Sequence, residues 1–118
     1  MVTEKDYCDY ETCVALKELG FPIEWFEDET YHENNTEISL YEAQKWLREE
    51  RNIDVLIELE TKDIHLSSKY YSIHISYMGR FRREFSYISK NFDSYEDALS
   101  EGIKEAVKIL KEELNEET

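Results

Sequence analysis

Glycine and proline are scarce in this chain: three glycines and one proline in 118 residues. Such a chain has little room for flexible linkers, so one domain over residues 1–118 is expected. Basic residues are the next shortage. Fourteen Lys and Arg face 28 Asp and Glu, for a net charge of −14. That field repels phosphate backbones and anionic membranes, and nucleic-acid binding needs Lys and Arg to displace counterions. Nucleic acid and membranes are therefore disfavoured as partners. No apolar run approaches the roughly 20 residues that cross a bilayer. Met1-Val2-Thr3-Glu4-Lys5-Asp6 lacks the apolar stretch of a secretory signal. Cysteine is limited to Cys8 and Cys13, too few for a disulfide framework. Free thiols and a cytoplasmic location are the expectation. Five residues apart on one predicted helix, these two would not share a face.

What is present is a set of period-two segments between helical ones. In Ile53 to Glu60, Val55, Ile57 and Leu59 fall on one face and Asp54, Glu58 and Glu60 on the other, with Leu56 as the exception. Tyr71, Ile73, Ile75 and Tyr77 alternate with Ser72, His74 and Ser76. Phe85 and Tyr87 alternate with Glu84 and Ser86, which assigns the two aromatics to the apolar face. Short connections, with Gly79-Arg80 at the second, favour an antiparallel meander over a parallel crossover. A sheet with one apolar and one polar face is covered on one side only. Tyr70, Leu56 and Ile88 are expected on the uncovered side, where self-association as a homodimer is open.

The helices carry their own start and stop signals. Asp9 caps a predicted helix from Tyr10 to Leu19, which Gly20 and Pro22 end. Ile23 to Phe26 reads as a short edge strand, and residues 27–37, crowded with acids, as a surface loop. Ser39-Leu40-Tyr41-Glu42 is a capping box, with Ile38 poised to staple onto Ala43. Its helix runs to Arg51. Ser94 starts the last helix, whose stripe contains Ala98, Leu99, Gly102, Ile103, Ala106 and Leu110. Gly102 costs helix stability, so the helix is expected to approach the sheet closely there. The acidic end, residues 112–118, reads as frayed. The expected fold is α+β: a three- to four-stranded antiparallel sheet with two or three helices packed on one face, in the order α-β-α-β-β-β-α.

Two resemblances follow from these segments. Asp9 to Phe21, Leu40 to Leu47 and Ser94 to Ile109 together are similar to a family of small uncharacterised bacterial and prophage proteins. The resemblance covers most of the chain through packing and capping signals, and it implies no activity and no site. Residues 39–114 also resemble the double-stranded RNA-binding domain in element order. That domain needs basic residues at the start of its last helix, where this chain has Asp93, Glu96 and Asp97.

The sequence contains one basic cluster, Arg80-Phe81-Arg82-Arg83, on the second hairpin. Residues 62–90 carry Lys62, Lys69, Arg80, Arg82, Arg83 and Lys90 against Asp63 and Glu84. Arg80, Arg82 and Arg83 with Phe81 as a stacking surface would suit an anion or nucleic acid. Charge on a hairpin also deters edge-to-edge aggregation, and the arginines could pair internally. Glu29, His32 and Glu33 have acceptable metal-ligand chemistry but no binding-loop spacing. His65 and His74 invite a general-base role as imidazoles yet have no Ser or Cys partner at a defined spacing. No catalytic residue, metal or cofactor is expected. The function expected is a non-enzymatic acidic binding or regulatory protein that acts on a basic protein partner. The alternative is a nucleic-acid-binding module using hairpin 80–83.

Overall fold

The computed structural model describes residues 6–22, 38–61, 69–79 and 81–116. Three helices and a three-stranded antiparallel sheet follow in the order α1 (Tyr10–Glu18), α2 (Leu40–Arg51), β1 (Ile53–Thr61), β2 (Lys69–Met78), β3 (Arg83–Phe92) and α3 (Tyr95–Glu116). The α+β class is as expected. The strand proposed for 23–26 and the loop 27–37 lie outside the described residues.

Local chemistry sets the helix ends. Asp9 Oδ1 accepts from the Thr12 amide at 2.8 Å, satisfying one of the unpaired first-turn donors. Gly20, at φ 109°, closes α1: its amide donates to Lys17 O, and the Phe21 amide donates to Leu16 O. These paired bonds form the Schellman closure, which favours glycine at the left-handed position. Phe21 then meets Trp46 edge-on, ring centroids 5.5 Å apart, tying α1 to α2. At α2, Ser39 Oγ accepts from the Glu42 amide at 3.1 Å. Asn52, left-handed at φ 59°, turns the chain directly into β1. Ser94 Oγ caps α3 by accepting from the Asp97 amide. The helix continues to Glu116, past Glu112, where the sequence suggested fraying.

The segments ahead of α1 and α2 are clamped together: Tyr7 bridges Ser39, and the Cys8 amide donates to Ile38 O at 2.9 Å. Cys8 precedes the cap of α1 instead of lying on the helix. It and Cys13 occupy the two positions of a hydrophobic staple. Both are buried, and Cys13 Sγ donates to Cys8 O at 3.6 Å. The expectation that they would stay apart is corrected, because helix-face geometry does not apply to a residue outside the helix.

In the sheet β2 is central. Opposed pairs place Val55, Ile75 and Ser86 on one face, and Leu56, His74 and Tyr87 on the other. On the first face α3 crosses the strands at Gly102, where a Cβ would stand 2.5 Å from Val55 Cγ1 and 3.1 Å from Ile73 Cγ2. The close approach expected there is present. Ala98, Leu99, Ile103 and Ala106 of α3 join Val55, Ile73 and Ile75 in the core.

Strand β3 departs from expectation. Phe85 pairs with Ser76 and Tyr87 with His74, so the two aromatics lie on the face away from α3. Ile88, opposite Ile73, packs against the core and is not exposed on the open side. The reason is parity. Met78 pairs with Arg83 across the turn, so odd positions of β3 share a face with even positions of β2. Shifting that register by one residue would exchange every side chain.

Candidate functional site

The face opposite α3 carries exposed apolar side chains among its polar ones, where a wet sheet face is ordinarily polar throughout. Leu56, Met78, Phe85 and Tyr87 are 57%, 50%, 77% and 51% exposed. Three of them, Leu56, Phe85 and Tyr87, border a shallow groove of about 510 Å³ whose floor includes His74 and Ser76. The His74 ring lies 4.6 Å from that of Tyr87. Each of these residues sits on a hydrogen-bonded strand, so the groove is built on rigid backbone.

Polar groups order the groove and its margin. His74 Nε2 stands 2.8 Å from Glu58 Oε2. The nitrogen is shut from solvent yet makes no well-directed hydrogen bond, so the two are in contact at pairing distance with poor angular geometry. Arg83 Nε donates to Ser76 Oγ at 2.6 Å, and Arg83 Nη2 reaches Asp54 Oδ2 at 3.4 Å. One arginine thus spans all three strands across the open face.

Glu58, His74 and Ser76 put an acid, a base and a hydroxyl on the open face, with Glu58 and His74 in contact. Hydrolytic chemistry at such a trio also needs amide donors aimed at a developing oxyanion. Here His74 and Ser76 belong to the central strand, paired with neighbours on both sides, whose amides serve the ladders. Ser76 Oγ is already engaged by Arg83.

The basic hairpin is partly neutralised. Arg82 Nε pairs with Glu84 Oε1 at 3.4 Å, and Arg83 turns onto the sheet as described. Phe81 at the turn is 91% exposed. Arg80 lies outside the described residues, as do His65 and the Glu29, His32 and Glu33 set. Among the described residues no group of three or more His, Cys, Asp or Glu is placed to hold a metal ion, and no helix is long and apolar enough to cross a membrane.

The residues that sequence reasoning missed are Phe85, Tyr87 and Met78, each assigned to the wrong face or to none. Their signal was the four-residue turn 79–82: an even count between Met78 and Arg83 puts Phe85 on Met78's side. Compared with family models, curated proteins and solved structures, the chain finds no match.

Proposed function

We propose that this protein is a non-enzymatic binding protein whose acidic body draws it to a basic protein partner. The supporting observation is where its charge resides. Residues 1–61 carry 17 acidic and 5 basic side chains, and residues 91–118 carry 9 and 3. Glu11 and Glu18 of α1, Glu42, Glu49 and Glu50 of α2, and Asp97, Glu101 and Glu112 of α3 are exposed. Charge so distributed creates a negative potential over the helical surface, which accelerates encounter with a basic partner and weakens with salt. In this reading all three helices lie on the covered side, leaving the open face for contact. The test is capture from nuclease-treated lysate at low and high salt. A protein retained at low salt and released at high salt fits the reading, and capture indifferent to salt rejects it.

A second reading, a nucleic-acid contact at the basic hairpin, is favoured by Phe81, 91% exposed beside Arg82. Its test is the triple variant Arg80→Ala, Arg82→Ala, Arg83→Ala against single-stranded nucleic acid. Unchanged affinity removes it.

A further inference from the structure

We propose that the open sheet face docks one amphipathic helix of a protein partner, seated on Leu56, Phe85 and Tyr87, with Lys or Arg on the flank that meets Glu58. The proposal rests on the acidic-surface reading above and specifies the contact.

Size selects the occupant. Strands spaced about 4.8 Å apart and rising about 3.3 Å per residue make this three-stranded face roughly 14 Å by 30 Å, or about 420 Å². A stable dimer buries about 800 Å² on each partner, so a face-to-face second copy has too little surface. One helix, about 10 Å wide with its side chains and about 30 Å long over 20 residues, matches the outline. Helix on sheet is also how α3 covers the other face, and the apolar patch of Leu56, Phe85 and Tyr87 would be covered by a second such layer.

Charge selects its chemistry. Two copies would each bring −14. On the face itself Asp54 is met by Arg83, while Glu58, 61% exposed at its side chain and in contact with His74, stands at the β1 margin. A helix with apolar anchors at i, i+3/i+4 and i+7 and basic residues beside them satisfies both the groove and its margin. An extended peptide would seek a sheet edge instead, and on β1 the Gln44 side chain already donates to Val55 O at 2.7 Å.

The test uses three synthetic helical peptides of about 18 residues: Leu/Lys amphipathic, Ser/Lys of the same charge, and Leu/Glu. Binding is read by titration and by amide shifts of the full-length protein. The proposal expects the Leu/Lys peptide to bind at least tenfold tighter than either other. Its shifts should map to residues 54–58, 74–78 and 83–87. The double variant Leu56→Ser, Phe85→Ser, with unchanged thermal unfolding, should weaken it at least tenfold, and Glu58→Gln should reduce its salt dependence. Equal binding of Leu/Lys and Ser/Lys overturns the docking face while leaving the acidic-surface reading intact. If no peptide binds, the docking face falls, and the acidic-surface reading is decided by the salt dependence of capture from lysate. Shifts confined to the helices also overturn the docking face. So does a sedimenting dimer that the double variant dissociates, which would assign the face to a second copy. Shifts of residues 23–37 in the peptide-free double variant would assign it to the chain's own segment, with the same consequence.

Discussion

A methyl group on Gly102 would collide with Val55: its Cβ would stand 2.5 Å from Cγ1, nearer than unstrained carbons approach. Gly102→Ala therefore sets two effects against each other. The helix gains about 1 kcal/mol in propensity, and overpacking a tight core costs about 1–3 kcal/mol. Ile73 Cγ2 at 3.1 Å blocks the alternative escape, so the net effect is destabilisation of about 1 kcal/mol. Removing the obstacle checks the cause. In a double-mutant cycle with Val55→Ala, measured by denaturant unfolding, the two losses should sum to more than the double variant loses. Strict additivity would mean that the contact is not the source.

The helices' positions were legible because their signals are local. Asp9, Gly20, Ser39 and Ser94 each act through backbone groups within a few residues, and each does what its type favours at a terminus. The faces of β1 and β2 were legible for a related reason: their alternation is clean apart from Leu56. In β3, Phe85 and Tyr87 compete with Ile88 for the core, and hydrophobicity alone prefers the two aromatics. The pairing across residues 79–82 decides otherwise, and that is a non-local fact. The open groove was hidden behind the same parity, since it exists only once Phe85 and Tyr87 share a face with Leu56 and His74.

Asp9 divides its carboxylate between two duties, capping α1 through Oδ1 and meeting Lys104 Nζ of α3 through Oδ2 at 3.1 Å. Partial burial pushes its pKa up, but bonds from the Thr12 hydroxyl and amide and from Lys104 outweigh this and hold it below the ordinary 3.8. A depressed carboxylate stabilises the fold fully above its unfolded value and loses that contribution as pH falls through the lower folded one. For Lys104, the bond to Asp9 leads and burial opposes it, leaving the pKa above 10.5. Its contribution is whole below 10.5 and lost as pH rises through the raised value. Asp9→Asn keeps a good cap, so it should cost only a few tenths of a kcal/mol for a half-exposed pair. Asp9→Ala should cost about 1 kcal/mol. Unfolding midpoints of both variants from pH 2 to pH 7 check this, with a shallower acid loss in Asp9→Asn than in the parent.

Cys8 should be inert in the folded protein. Its hydrogen bond with the Cys13 side chain, then burial, then the nearby charge of Asp9 push the thiol far up. Thiolate is the reacting species, and both sulfurs are enclosed. Labelling by an aromatic disulfide reagent should proceed at the rate of unfolding and accelerate with denaturant in step with it. Rapid labelling in native buffer would contradict the staple geometry.

Ser72 is fully buried beside the irregular register at Tyr71 and Ile73, and its Oγ has no hydrogen-bond partner among the described residues. An unsatisfied buried hydroxyl costs about 1–3 kcal/mol. Ser72→Ala removes the hydroxyl and leaves a cavity of one small atom. It should therefore hold stability level or raise it by about 1 kcal/mol. A clear loss would show that the hydroxyl is bonded in solution.

The parity of β3 has a direct thermodynamic consequence that can be measured without any partner. If Phe85 faces solvent, Phe85→Ser removes little buried surface and should change stability by no more than about 0.5 kcal/mol. Ile73→Ala, from the enclosed centre of β2, should cost about 2–5 kcal/mol. Glu84 occupies the face of Ile75 and Tyr77 instead, so Glu84→Leu should be tolerated and could stabilise, where a solvent-facing site would gain nothing. Chemical denaturation of the three variants distinguishes the registers. A loss of several kcal/mol for Phe85→Ser would place that ring in the core, reverse the strand, and remove the groove on which the docking of a helix depends.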